Sequence, residues 1–401
     1  MLVSSCSKPY TGDQIWRPVL QFISDTASLE RFCDRLSTQD FITVDTEFMR
    51  ERTYWAQLCL IQAASEDEEA AIDTLSADLD LTPFLELLNE APPLKVFHAA
   101  RQDLEIFYKL SGQLPNRLFD TQVAAMVCGF GDSVGYQTLV RHFTEEDVDK
   151  SARFTDWSHR PLSDRQISYA LSDVTYLRTI YKGLSDELDR TGRHRWTEEE
   201  MSLLLSPSIY DAPPENAWKR IKHRSRDIHF LGRLKAVAAW REREAQKRDL
   251  PRNRIVRDEA VMELAAHPPH DSKELAKVRG VSDKFAHGPM SQTLFTALKD
   301  AQPLDKSMLP KKPDRQHIAN ASDLMDMLKL LLKLKANEAN VAPKLIASND
   351  AIEAFAVKNH SNSPLLQGWR AEVFGRDAAK LKEGRLGIKM NDGSIAFFDI
   401  D

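Results

Sequence analysis

The stretch Phe41-Ile42-Thr43-Val44-Asp45-Thr46-Glu47-Phe48 is an apolar, β-branched run interrupted by two carboxylates at alternating positions. Its composition predicts a buried strand, on which residues i and i+2 project to the same face. Asp45 and Glu47 therefore stand side by side. Two like charges held that close repel, and burying either without a partner costs several kcal/mol. A divalent cation between them offsets that cost, and a complete site then needs further carboxylates from elements reaching the same end of the sheet.

Working outward, Val19–Ile23 reads as a strand, and Ser24, Asp25 and Thr26 offer N-caps for a helix whose apolar face is Leu29, Phe32, Cys33 and Leu36. Downstream, Leu58–Gln62 and Ala70–Asp73 form a three-stranded antiparallel meander with the opening strand. Then follow a helix over Pro83–Leu88, a strand Leu94–His98, a helix over about 102–110, and a strand Leu118–Asp120 leading into the helix Thr121–Cys128. Pro161-Leu162-Ser163 introduces a long helix to about Leu188, with apolar positions Ile167, Ala170, Leu171, Val174, Leu177 and Ile180 at helical spacing. Strands first, then strands alternating with helices, predict an α/β domain: a mixed sheet flanked by helices.

Three residues of this framework are candidates to complete the metal site. Asp103 lies just past the strand ending at His98, and Tyr169 and Asp173, four apart on the long helix, share a face. Two metal ions about 3.5–4 Å apart, held by four acidic groups, clamp the attacking and leaving oxygens of an in-line phosphoryl displacement. Tyr169 is then placed to orient the attacking water, and to deprotonate it only with help from the metals, because a phenol ordinarily titrates near about 10. Each residue alone has an ordinary explanation: a solvated helical Asp, or a surface Tyr/Asp pair. The joint pattern carries the reading.

That pattern resembles the DEDDy type of the DEDD exonuclease superfamily. Asp45-Thr46-Glu47-Phe48, His98-Ala99-Ala100-Arg101-Gln102-Asp103-Leu104 and Tyr169-Ala170-Leu171-Ser172-Asp173 stand in order for its three motifs. The phrases Arg52–Gln62 and Thr155–Leu162 are similar to the bacterial ribonuclease D family in particular. The resemblance implies a ribonuclease H-like sheet, two divalent ions (Mg²⁺ or Mn²⁺) on Asp45, Glu47, Asp103 and Asp173, and water handling by Tyr169. It also implies 3′→5′ exoribonuclease activity on RNA, such as 3′ extensions of tRNA precursors and other small structured RNAs. Phe48 and Trp157 are candidates to stack on or wall the terminal nucleotides. His98 matches a residue common in the second motif but reads better as a hydrogen-bonded core histidine, and is left out of the metal set.

At 401 residues the chain is too long for one core and predicts two or three domains; 42% hydrophobic and 28% charged residues mark a globular protein. The net charge of −6 conceals a basic stretch from Glu215 to Arg257, with fourteen Lys or Arg against five acids, a balance of +9 that fits phosphate binding. Its Trp240-Arg241-Glu242, Pro251, Asp258 and Leu275–Gly280 resemble the HRDC helical module, an accessory nucleic-acid-binding domain. At an offset of 91, Ile255, Ala260, Val261, Leu264, Ala265, Leu275 and Arg279 fall on Ile346, Ala351, Ile352, Phe355, Ala356, Leu366 and Arg370, which predicts a duplicated helical module. The expected organisation is an N-terminal extension over 1–18, a catalytic domain over 19–200, a linker over 201–214, an HRDC domain over 215–300, a proline-rich linker over 301–313 and a second all-α HRDC-like domain over 314–401.

Cysteines 6, 33, 59 and 128 form no metal-binding spacing, and no apolar run reaches the roughly 18 residues of a membrane span. With no signal-peptide pattern at the N-terminus, the expected location is cytoplasmic. No G-x-x-x-x-G-K-[ST] loop is present, which excludes an ATP-driven helicase, and nothing calls for an obligatory protein partner. Two alternatives stay open on the residues alone: a DNA 3′→5′ exonuclease, since no residue reading the 2′-hydroxyl is identifiable, and an inactive RNA-binding scaffold.

Overall fold

A computed structural model describes residues 19–309, 315–357 and 362–400. The expected extension over 1–18 and Cys6 lie outside the described residues, as does part of the proline-rich joint. The catalytic half comprises β1 (Val19–Ile23), α1 (Thr26–Leu36), β2 (Phe41–Met49), β3 (Gln57–Ala64), β4 (Glu68–Ile72), α2 (Thr82–Asn89), β5 (Leu94–Phe97), α3 (Arg101–Ser111), β6 (Leu118–Asp120), α4 (Thr121–Val127), α5 (Tyr136–Thr144) and α6 (Asp164–Thr191). Asp25 caps α1 by accepting from the Ser28 amide, and Ser163 with Gln166 closes a capping box on α6.

The sheet runs β1-β4-β3-β2-β5-β6. β2, β3 and β4 form the expected antiparallel meander, while β1 joins β4, and β5 joins β2 and β6, in parallel. β2 is central because both its faces are covered. Ile42 and Val44 pack with Leu29 and Phe32 of α1 and Leu104 and Phe107 of α3, whereas Phe41 packs with Leu177 and Ile180 of α6. Thr43 Oγ1 donates to the Val174 carbonyl of α6 at 2.9 Å, fixing the helix over the face that carries Asp45 and Glu47. Of β2, only Phe41–Thr43 pair with β5, so β2 projects past it from Val44 onward.

The chain after α6 does not leave the domain at once. α7 (His194–Leu204) follows, and Met201 and Tyr210 are buried in the same core as Ile42 and Phe107, so much of the segment expected as a linker is packed. Its apolar residues explain this: prolines stop helices, but Tyr210 buries its ring and donates its hydroxyl to the Leu204 carbonyl at 2.6 Å.

The helical half begins with α8 (Ile228–Arg248), α9 (Arg252–Ile255), α10 (Asp258–Ala266), α11 (Ser272–Leu275), α12 (Asp283–Ala286) and α13 (Pro289–Lys299). It continues with α14 (Arg315–Ala339), α15 (Pro343–Ile346), α16 (Asn349–Val357), α17 (Gly368–Arg370) and α18 (Arg376–Lys382). α9 and α10 coincide residue for residue with α15 and α16 at the offset of 91, and Val261 and Leu264 and their counterparts Ile352 and Phe355 are all buried. The repeat is therefore structural.

The C-terminal part is not all-α, however. A hairpin of β7 (Leu386–Asn391) and β8 (Ser394–Asp399) follows α18. Asp392 and Gly393, both at positive φ, make the two-residue turn whose twist suits a hairpin. That Asp-Gly between alternating apolar residues was the available signal.

Each helical part grips the catalytic half. Tyr54, in the β2–β3 loop, donates its hydroxyl to Glu242 of α8, and Asp249 accepts from the Tyr54 and Trp55 amides at 3.0 and 2.9 Å. At the other contact Trp196 stacks on Trp369 with centroids 4.9 Å apart, and Glu200 of α7 binds Trp369 Nε1 at 2.9 Å and pairs with Arg370 at 2.6 Å. No helix of the described residues is long and apolar enough to cross a membrane.

Candidate active site

Asp45 and Glu47 point from β2 toward α6, which presents Asp173 one turn below Tyr169. Carboxylate oxygens of Asp45, Glu47 and Asp173 all lie within 4.8 Å of one another. A β-bulge between Glu47 and Phe48 shifts the register with β3, which resumes at Phe48 opposite Leu58; bulges beside functional sites are common.

Asp103 arrives differently. It sits in the first turn of α3, on the opposite side of the sheet, and its carboxylate accepts a short hydrogen bond from Thr46 Oγ1. The shortness of β5 leaves room for that approach beside the overhanging end of β2. Asp120 prepares it: its side chain accepts from the Ala99 and Ala100 amides at 3.0 and 2.8 Å while capping α4, which fixes the turn at Ala99, a non-glycine residue at φ 57°, and launches α3.

The electrostatics are those of an anion cluster with too little countercharge. Burial, and then the neighbouring Asp173, Asp103 and Glu47, hold the Asp45 carboxyl well above the usual range. Glu47 is pushed up to about 9 by burial, Asp173 and Asp103, while burial raises Asp103 and Asp173 to about 7 each. Arg153 works against the trend at Glu47 and Asp173. Oxygen donors crowded this way suit a hard divalent cation, whose charge would restore all of them to the ionised form.

Tyr169 hydrogen-bonds Asp173, and burial plus the surrounding carboxylates push its phenol far upward, so it is a neutral hydroxyl here. Trp157 lies against it, ring centroids 6.1 Å apart. At 2% exposure, among Cys59, Leu60 and Leu171, Trp157 cannot reach a nucleotide: the expectation that it binds substrate is corrected to support of Tyr169. Phe48 is half-buried and packs against the core beneath the sheet. The Arg160 guanidinium, bound to Asp73 at 2.6 Å and to the Cys59 carbonyl at 2.7 Å, holds the Trp157 loop to the sheet.

His98 is hydrogen-bonded as expected but is not core: it is half-buried and lines the cavity of Asp45, Tyr169 and Asp173. Its Nδ1 lies 3.0 Å from Thr121 Oγ1, and burial lowers it to about 4, so it is neutral near pH 7. Three residues near the site went unread in the sequence. Tyr136 donates its hydroxyl to the Ser172 and Asp173 carbonyls at 3.0 and 2.8 Å, pinning the α6 turn that carries Asp173. Lys150 and Arg153 line, with Asp45, Tyr169 and Asp173, a cavity of about 430 Å³. Nothing local marks them; only folding brings their loop here.

In the basic stretch, Arg241 is 3% exposed and bound to Asp258 and the Val256 carbonyl, Arg233 binds the Ala265 carbonyl, and Arg243, Arg248 and Arg252 pair with Glu215, Glu244 and Glu242. Part of the +9 balance is thus structural rather than free for phosphates.

A family model described as 3′-5′ exonuclease matches residues 20–189, and one described as HRDC domain matches residues 230–287. The chain is 48% identical to ribonuclease D of Zymomonas mobilis over 377 residues, covering 93% of this chain and 97% of that protein. Ribonuclease D of Sphingobium indicum is likewise 48% identical, over 93% of this chain and 97% of its own. Among solved structures, Escherichia coli RNase D, described as an exoribonuclease involved in structured RNA processing, superposes with a TM-score of 0.78 at 31% identity, over 91% of this chain and 99% of that one.

Proposed function

The chain belongs to the ribonuclease D family, and from that premise we infer that it is a metal-dependent 3′→5′ exoribonuclease releasing nucleoside 5′-monophosphates from RNA. The convergence of Asp45, Glu47 and Asp173 within 4.8 Å, with no countercharge sufficient to hold them ionised, carries the reading. These three fit one divalent ion. Asp103, whose charge acts on Asp45, would help to hold a second. Mg²⁺ or Mn²⁺ held by these residues would supply positive charge to the reacting phosphate and lower the pKa of a water.

The protein's own groups do the rest. Thr46 aims Asp103, and Tyr136 and Thr43 hold the α6 turn in register with β2. The Tyr169 hydroxyl, anchored on Asp173, orients the attacking water in line with the scissile bond. As a neutral phenol it positions rather than deprotonates until divalent charge offsets the carboxylates around it.

The substrates we assign are 3′ extensions of tRNA precursors and other small structured RNAs, with the two helical modules as RNA-holding accessories. The full-length similarity to proteins named ribonuclease D favours RNA over DNA. We place the enzyme in the cytoplasm, where its described cysteines, all buried and unpaired, stay reduced.

The test compares wild type with Asp45→Asn on 3′-extended precursor tRNA and matched single-stranded DNA, in Mg²⁺, Mn²⁺ or EDTA. Stepwise 5′-monophosphate release from RNA, lost in EDTA and in the variant, is expected. Metal-independent degradation would sink the two-metal site, and faster cleavage of DNA would sink the RNA assignment.

A further inference from the structure

The segment between α5 and α6 presents three side chains that the fold does not use. Its backbone is fixed: Asp149 caps the 3₁₀ turn Lys150–Ala152, Ala152 is buried, Thr155 Oγ1 donates to the Ala152 carbonyl at 2.7 Å, and Gln166 Nε2 donates to Thr155 Oγ1 at 3.2 Å. On this support Lys150 and Arg153 line the cavity of Asp45, Tyr169 and Asp173, and neither forms an ion pair with an acid of the described residues. Phe154, beside them, is 90% exposed; the next most exposed large apolar side chain described is Met390, at 67%. The Arg153 guanidinium lies 5.2 Å from the Phe154 ring centroid.

An aromatic ring left in water, on a capped and hydrogen-bonded turn, next to unpaired cations at a phosphodiesterase cavity is the combination that single-stranded nucleic acid recognises. Cations track the backbone and a ring face accepts any base. Arg153 is also close enough to the acid cluster to be felt by Glu47 and Asp173, which places its charge at the reacting end rather than on a distant surface.

We propose that Lys150, Arg153 and Phe154 form a clamp for the 3′ end of single-stranded RNA, the two cations on phosphate and Phe154 stacked on a base within the last three nucleotides. The clamp rests on the exonuclease reading for its substrate. Its members are positioning residues, since none handles a proton or a reacting atom.

The test uses the full chain carrying Asp45→Asn, so that RNA survives, and oligoribonucleotides with 2-aminopurine at each of the last six positions. Quenching confined to the 3′-proximal positions is expected, lost in Phe154→Ala and restored in Phe154→Trp. Equilibrium binding should weaken about tenfold in Phe154→Ala. It should weaken comparably in Arg153→Ala, with the salt dependence reduced by about one phosphate contact. With Asp45 intact, both variants should raise KM about tenfold for a single-stranded tail and leave kcat within about threefold. Because Phe154 is exposed, its variants should melt as wild type does. Unchanged binding in Phe154→Ala, quenching equal at all six positions, or failure of Phe154→Trp to rescue would each overturn the clamp. A wild-type chain that releases no 5′-monophosphate while the quenching pattern persists would instead overturn the exonuclease reading and leave the clamp standing as an RNA site.

Discussion

Glu242, where α8 meets the β2–β3 loop, and the trio Asp45, Glu47 and Asp173, where β2 meets α6, are both buried acids, and their surroundings treat them in opposite ways. Glu242 is 1% exposed, yet it binds Arg252 at 2.5 and 2.6 Å and receives the Tyr54 hydroxyl, which itself accepts from Arg252 at 2.8 Å. Burial pushes its carboxyl up, but these bonds outweigh burial and hold it below the ordinary value. The acids of the trio have mainly each other, and they are held above it. Burial of a carboxylate is thus no sign of function by itself. Burial without a countercharge is, because a structure has no reason to keep that arrangement unless a ligand completes it.

The largest effect expected from this contrast is at the trio. Asp45→Asn should lower kcat at least about 10³-fold, the several kcal/mol that metal-held charge contributes to the transition state. The same substitution should raise the melting temperature of the metal-free protein, since it removes a carboxyl that folding must protonate or bury beside other acids. A variant both active and less stable would break the contrast at its root.

Next, Tyr169→Phe keeps the ring against Trp157 and removes the hydroxyl. A loss of about 10²-fold in kcat is expected, with Mn²⁺ affinity by calorimetry little changed. A large loss of metal affinity would instead mean that the phenol serves the ligands.

At Glu242 the cost should be stability rather than chemistry. Glu242→Ala leaves Arg252 and Tyr54 without their acceptor, and about 2–3 kcal/mol should be lost in denaturant unfolding, below the figure for a wholly buried pair because Arg252 is partly exposed. Cleavage of short oligoribonucleotides should survive. If unfolding is unmoved, the network does not lock α8 to the loop.

The smallest effect is the pH dependence of the metal-free protein. Glu47 near about 9 and Asp173 near about 7 bind protons more tightly when folded than when unfolded, where they titrate at about 4. The folded state then carries more protons over that interval, so stability should fall as pH rises from about 4 to 9 and level off above. Saturating Mg²⁺ should flatten the slope, and its binding at pH 7 should release protons, measurable by calorimetry in two buffers of different ionisation heat. A metal-free stability that rises across this range would contradict the raised values.

Much of this was legible in the chain. Asp45 and Glu47 share a face because a strand repeats every second residue, Tyr169 and Asp173 because a helix repeats near every fourth, and α9–α10 recur as α15–α16 at the offset that their apolar residues announce. Such features depend on backbone periodicity, which a dozen residues suffice to express.

What folding alone decided depends on segments far apart in sequence. Asp103 meets β2 at Thr46 from the other side of the sheet, Trp157 is core because α6 and β3 close over it, and Tyr210 is buried where prolines suggested a free linker. Lys150, Arg153 and Phe154 carry no pattern of their own, and their position beside the acid cluster follows from where α5 releases the chain and α6 takes it up again. Periodicity fixes which way a side chain faces within its element; packing between elements fixes what it faces, and only the latter put Asp45 and Glu47 of Phe41–Phe48 among the residues that make them a site.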